Sequence, residues 1–160
     1  MLKLYRFSES RKEYWETWDN EDGSHIVHWG ELGTRGSSKT VKSFWGKKPQ
    51  EKIQKEIDGL VAHGFAPIDP EDHAILLVEY AVDGMGARDD LDKRGRLEQR
   101  LNEALGWTGL GACDGGSIGS GTMEVCAYVV DFELAKKVVE ADLIGTEFSD
   151  YTRIYDEDAD

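Results

Sequence analysis

Aromatic and basic side chains are interleaved between positions 29 and 48, in a pattern that suits nucleic-acid binding. Residues 33–48 contain five basic residues and no acidic one, although the whole chain has a formal net charge of -13 at pH 7. Lysine and arginine neutralise phosphates, and exposed indole rings stack on bases. The alternative is that the lysines form a solvated surface and the tryptophans pack within the fold. The candidate interface consists of Trp29, Gly30, Arg35, Lys39, Lys42, Trp45, Lys47 and Lys48.

A second group of residues, all acidic, offers metal chemistry. Asp83, Asp89, Asp90, Asp92 and Asp114 could supply the oxygen ligands that Mg²⁺ and Ca²⁺ prefer. Aspartates are also common helix caps and turn residues, and we favour that interpretation. We therefore assign no metal site and no cofactor.

Neither phosphate-loop chemistry nor nucleophilic catalysis is indicated. The six glycines between positions 109 and 121 match neither the Gly-Lys-Ser/Thr loop nor a glycine fingerprint that opens a helix. Ser117 and Ser120 are turn residues, and no histidine follows His73. No catalytic residues are therefore assigned, and a metal-dependent enzyme is the least favoured class.

Charge is unevenly distributed along the 160 residues. Residues 1–70 contain 11 Lys+Arg and 11 Asp+Glu, whereas residues 71–160 contain 8 and 21. This asymmetry, together with a proline-containing linker predicted at 67–70, favours two units over one. Nucleic acid would then meet only the basic patch of the first half, and the acidic second half would suit a basic protein partner.

Apolar patterning argues against a membrane protein. The longest apolar run, at 74–78, is far shorter than a membrane span, and the first residues lack a signal-peptide core. We therefore expect a cytoplasmic protein. Cys113 and Cys126 fit no zinc-ligand spacing and are expected to be free thiols.

The first half reads as a sheet followed by one helix. Alternating or β-branched segments predict strands at 2–7, 13–19, 24–29 and 39–44, with a glycine-rich turn at 33–38. Pro49 suits a first helical position and Gly64 a helix end. The predicted apolar stripe of that helix is Ile53, Ile57, Leu60 and Val61.

This order of elements, together with four motifs, resembles the WGR domain of poly(ADP-ribose) polymerases and of stand-alone bacterial proteins. The motifs are Glu13-Tyr14-Trp15, the segment from His28 to Gly36, Lys42-Ser43-Phe44 and His63-Gly64-Phe65. The resemblance covers residues 1–68 and implies an antiparallel sheet with one packed helix.

In the polymerases this module grips DNA ends through the Trp and Arg of its motif. Here the third motif position is Glu31, an acid that would repel a phosphate. The resemblance therefore implies a DNA-contacting role only for Trp29 and Gly30.

Residues 73–160 predict the element order β-α-β-β-α-β. The strands are predicted at 74–82, 110–118, 123–130 and 151–155, and the acidic residues 156–160 form a frayed tail. Asp89-Asp90 and Asp131 are predicted helix caps. The apolar stripes are Leu97, Leu101, Ala104 and Leu105 on one helix and Ala135, Val138, Val139 and Leu143 on the other. The order matches a ferredoxin-like fold, so the whole chain is assigned to the α+β class.

The register of the predicted hairpin decides where the two cysteines lie. A type II′ turn centred on Gly119-Ser120 would place Cys113 opposite Cys126. A turn at Asp114-Gly115 would instead separate them along the sheet.

Together these patterns predict a non-catalytic binding protein with a WGR-like module associated with nucleic acid. The alternative is an acidic interaction or inhibitor module, of the immunity-protein kind, that binds a basic partner.

Overall fold

A computed structural model describes residues 1–159, and the described chain has an α+β fold. Two four-stranded antiparallel sheets and three α-helices form its regular structure. The chain divides into two compact units, Met1–Asp69 and a second that begins at Pro70. This boundary falls within the predicted linker at 67–70. No helix among the described residues is both long and apolar enough to cross a membrane.

The first unit contains a four-stranded meander. Its strands are β1 (Leu2–Phe7), β2 (Lys12–Asp19), β3 (His25–Glu31) and β4 (Ser37–Val41), and neighbours in sequence are neighbours in the sheet. The first three strands agree with the predicted ones to within two residues. β4 begins and ends earlier than the predicted 39–44, because residues 44–47 form a turn of their own.

Helix α1 (Pro49–Ala62) packs on one face of this sheet. Pro49 begins the helix and Gly64, with a φ of +93°, follows its end, as predicted. The shared core consists of Leu4, Trp15, Val27, Ile53 and Phe65, with Ile57 and Leu60 at its margin. Val61 was predicted in the stripe but is 54% exposed, so that prediction is wrong.

The second unit has the predicted order of elements, β-α-β-β-α-β. Its strands lie in the order β6-β7-β5-β8, and neighbouring strands are antiparallel. The two strands that each helix connects therefore have one other strand between them. The elements are β5 (Ala74–Ala81), α2 (Arg88–Gly106), β6 (Gly111–Gly119), β7 (Thr122–Val129), α3 (Phe132–Leu143) and β8 (Arg153–Asp156).

Both helices lie on one face of the second sheet. α2 contacts β6, β7 and α3, whereas α3 contacts β5 and β8. The predicted helix stripes are confirmed as the inward faces, although Val138 is only half-buried. The strand residues beneath them, Leu76, Val78, Val125 and Ala127, have no exposed surface.

The aspartates predicted to cap the two helices differ in their observed roles. Asp131 caps α3, since its carboxylate accepts from the Leu134 N–H at 3.0 Å. Neither Asp89 nor Asp90 is the N-cap residue of α2, because the helix begins after Ala87, but Asp90 takes part in the capping by accepting from the Ala87 N–H at 2.7 Å.

The prediction of a frayed tail is wrong for most of the C-terminal residues. Asp156 is part of β8 and pairs with Leu76, and Glu157–Ala159 forms a 3₁₀ turn. Asp160 lies outside the described residues.

The β6–β7 turn lies one residue later than predicted. Its central residues are Ser120 and Gly121, both with positive φ as in a type I′ turn. A bulge at residues 114–115 then moves the register back by one residue. Cys113 is therefore opposite Ala127, and neither predicted cysteine arrangement is correct.

The two thiols point to opposite faces of the sheet. Cys113 shares the helix-covered face of its partner Ala127, and Cys126, the neighbour of Ala127 on β7, faces the other way. Burial, followed by nearby Glu98, raises the pKa of Cys113 to about 12. A disulfide between them is not favoured, because the two side chains point to opposite faces and the raised pKa keeps Cys113 protonated.

We expect fragments 1–69 and 70–160 to fold separately, because each unit has its own sheet and its own buried helix stripe. Each purified fragment should give a cooperative thermal transition followed by circular dichroism. A fragment that is unfolded on its own would show that the two units share one core.

Candidate nucleic-acid interface

The predicted interface residues fall into two groups at opposite ends of β4. Trp29 on β3 pairs with Ser37 at the start of β4, whereas Lys42 follows its last residue, Val41. At about 3.4 Å per residue, Ser37 and Lys42 lie about 17 Å apart. The group near Trp29 contains Gly30, Arg35 and Lys39, and the other group contains Lys42, Trp45, Lys47 and Lys48.

The glycine-rich loop after β3 is fastened to the sheet by buried polar side chains. His28 Nε2 donates to the Arg35 carbonyl oxygen at 2.6 Å, and its Nδ1 lies within hydrogen-bond distance of Glu16 Oε1, at 2.8 Å. The two ring nitrogens therefore join β2 to the loop. Tyr14 donates to the Thr34 carbonyl oxygen at 2.8 Å. Burial, and then Glu16, raise the pKa of Tyr14, which keeps the phenol protonated as a donor.

These three anchoring residues were missed by sequence reasoning. The sequence places Tyr14 and His28 within the motifs that resemble the WGR domain but assigns them no anchoring role. The available signal was the period of two, which puts Tyr14 and Glu16 on one face of β2 opposite His28 and Gly30 on β3.

Gly36 lets the loop return against β3. Its φ is +61°, and a Cβ atom there would overlap the carbonyl oxygen of Trp29. A Cβ on Gly30 would come within 2.7 Å of the Gly36 Cα atom. The two glycines therefore allow a backbone contact that fixes where Trp29 lies.

Trp29 stands beside a groove of about 500 Å³ between the sheet and the C-terminal half of α1. The groove is lined by apolar residues that include Trp15, Leu60 and Phe65, and Gly59 leaves room on the helix side. Trp29 is 37% exposed, and the Lys39 ammonium lies 5.6 Å from the centre of its indole.

The charged groups at this groove are paired within the unit. Arg6 donates to Glu13 Oε2 from Nη2 at 2.6 Å and from Nε at 2.9 Å. Glu56 accepts from the Trp15 indole N–H at 3.1 Å and from Lys39 at 2.9 Å. Because Lys39 is already paired, it offers less charge to a phosphate than its sequence context suggests.

The second group is built around a tight turn that displays two aromatic rings. The backbone groups of Phe44 and Lys47 exchange hydrogen bonds of 3.2 and 3.0 Å. Trp45 and Gly46 between them have φ values of +50° and +75°, as in a type I′ turn. Phe44 is 63% exposed and Trp45 is 88% exposed. We call residues 42–48 the aromatic loop.

Lysines surround this loop. Lys42, Lys47 and Lys48 are exposed, and the Lys52 ammonium lies 5.5 Å from the centre of the Phe44 ring. Hydrogen bonds from Ser24, and after them the charge of Lys42, lower the pKa of Asp22. Several lysines therefore lie around two exposed aromatic rings, with one carboxylate near Lys42.

The acidic and glycine-rich segments of the second unit have structural uses. Within residues 1–159, no group of three or more His, Cys, Asp or Glu side chains is arranged to hold a metal ion. Asp83 and Asp90 border a small cleft of about 250 Å³, where Asp90 already bonds the start of α2. The glycines between positions 109 and 121 belong mainly to β6 and its turn.

Comparison of the chain with protein-family models, curated proteins and solved structures finds no match. The resemblance to the WGR domain stays a prediction from the motifs.

Gly36→Ala should destabilise the first unit by about 2 kcal/mol or more, because it combines a left-handed backbone with a clash against the Trp29 carbonyl. Gly33→Ala is the matched control, since Gly33 has a φ of +89° and no atom lies within 4 Å of the position that an alanine Cβ would take. We expect it to cost only about 1 kcal/mol. If the two variants lose the same free energy of unfolding in urea, the contact with Trp29 is unimportant.

Proposed function

We propose that the protein is a non-catalytic, cytoplasmic binding protein whose first unit is a WGR-like module that binds nucleic acid. The observation that carries the proposal is the aromatic loop, in which Phe44 and Trp45 are exposed among Lys42, Lys47 and Lys48. Stacking on bases and neutralisation of phosphates require this combination of side chains.

The conformation of Trp45 supports a binding role. A non-glycine residue with positive φ costs about 1 kcal/mol, and an indole that is 88% exposed recovers little of this by burial. Asparagine or glycine would suit the first central position of a type I′ turn better. Trp45 is unfavourable for the turn itself, and a contact between its ring and a ligand would explain why it is there.

A second candidate function is binding of a basic protein through the second unit. It is favoured by the excess of 21 acidic over 8 basic residues in positions 71–160. Complementary charge speeds association and selects partners.

The nucleic-acid proposal is tested by a gel-shift assay with 5′-phosphorylated blunt and nicked DNA. Lys42→Glu with Lys47→Glu should weaken binding about tenfold and lower the slope of log K against log salt by about 2. Trp45→Asn should weaken binding about fivefold or more through lost stacking, while the turn becomes more stable.

The control for the charge change is Lys136→Glu with Lys137→Glu on α3, which alters net charge equally without touching the aromatic loop. Thermal unfolding of Trp45→Asn separates a binding defect from misfolding. Wild-type protein that fails to shift DNA even at low salt would contradict the proposal, as would equal losses in the control.

A separate prediction concerns the opposite end of β4. Glu31 is exposed at the end of β3 near Trp29, so Glu31→Arg should strengthen DNA binding about threefold or more if that end also contacts phosphates. The same exchange at exposed Glu133 of α3 controls for net charge. Unchanged affinity would restrict the nucleic-acid interface to the aromatic loop.

A further inference from the structure

The second sheet has a face that α2 and α3 do not cover. The helices cover the face that holds Leu76 and Val78 on β5 and Val125 and Ala127 on β7, so the alternate residues of each strand point the other way. We call this surface the tyrosine face. Its main residues are Leu77, Glu79, Glu124, Tyr128, Arg153 and Tyr155.

The tyrosine face already holds one guanidinium group from its own chain. The Arg153 guanidinium carbon lies 3.7 Å from the centre of the Tyr155 ring, and Nη2 lies 3.3 Å from Glu79 Oε2. Tyr155 in turn donates to Glu124 Oε1 at 2.7 Å. An aromatic ring and a carboxylate therefore bind arginine on this surface by stacking and ion pairing.

Tyr128 is a second aromatic ring near carboxylates on the tyrosine face. Its side chain is 40% exposed. Asp114 lies on β6 two residues after Ala112, the partner of Tyr128, and so points to the same face. Glu157 directly follows Asp156, whose partner Leu76 adjoins Ile75, the β5 partner of Tyr128. Consistent with this placement, Asp114 and more weakly Glu157 raise the pKa of Tyr128.

We propose that the tyrosine face binds an arginine-rich segment of a basic protein, with a guanidinium stacked on Tyr128 and paired with Asp114 and Glu157. This inference names the partner chemistry of the second candidate function and is independent of nucleic-acid binding by the first unit. The excess of acidic residues attracts a basic segment and repels phosphates. Arginine fits better than lysine because its planar group stacks and pairs at once.

The test is titration of the full-length protein with oligoarginine, followed by calorimetry at low and physiological salt. Oligolysine of equal length should bind about threefold more weakly. Tyr128→Ala should weaken oligoarginine binding about fivefold, whereas Tyr128→Phe should retain it because the ring persists. Asp114→Asn with Glu157→Gln should weaken it about tenfold at low salt.

The matched control is Asp92→Asn with Glu133→Gln, which removes two exposed carboxylates from the helices on the other side of the sheet. It should change affinity less than twofold. Equal weakening in both double variants, equal binding of the two peptides, or no effect of Tyr128→Ala would overturn the proposal. The same variants should shift DNA like the wild type, so failure here is distinguishable from failure of the nucleic-acid proposal.

Discussion

The hydrogen bond between His28 and Glu16 is the constraint on which the first unit depends. Both side chains are buried, and a buried polar group is tolerated only when its partners are in place. The other ring nitrogen of His28 donates to the Arg35 carbonyl oxygen, so this pair also fixes the path of the glycine-rich loop. The loop in turn lies against the Trp29 backbone through Gly36. Loss of either the His28 or the Glu16 side chain alone leaves the other buried without this partner.

Strand alternation gives neighbouring residues of β3 different roles. His28 faces the loop, and Trp29, one residue later, faces α1 and the groove. The two residues are adjacent in sequence, but one anchors the fold and the other remains half-exposed. The same rule separates Cys113 from Cys126 and leaves the tyrosine face of the second unit outside its helix layer.

Much of the fold could be predicted because it follows from local patterns. The helix stripe Leu97, Leu101, Ala104 and Leu105 and the Asp131 cap depend on spacing within one helix, and both predictions are confirmed. The hairpin register could not be predicted, because one extra residue in the bulge at 114–115 changes every pair beyond it.

The candidate site was predictable only in its residue types. The basic run and the two tryptophans were visible in the sequence, but their division between two ends of β4 depends on a strand that starts at Ser37. The anchoring role of His28 was hidden because alternation shows only which face the side chain is on, whereas its partners depend on the pairing of two strands and on the path of a loop.

The net charge of -13 constrains how a basic loop could act in this chain. At low salt, where the Debye length is about 30 Å, the acidic residues oppose the approach of a polyanion even when they do not touch it. Near physiological salt the Debye length is about 8 Å, so a phosphate at the aromatic loop would be affected only by charges close to it. Salt would therefore weaken the proposed lysine contacts and the general repulsion together. For this reason stacking by Phe44 and Trp45, which salt screens little, would supply a larger share of the affinity here than in a uniformly basic protein.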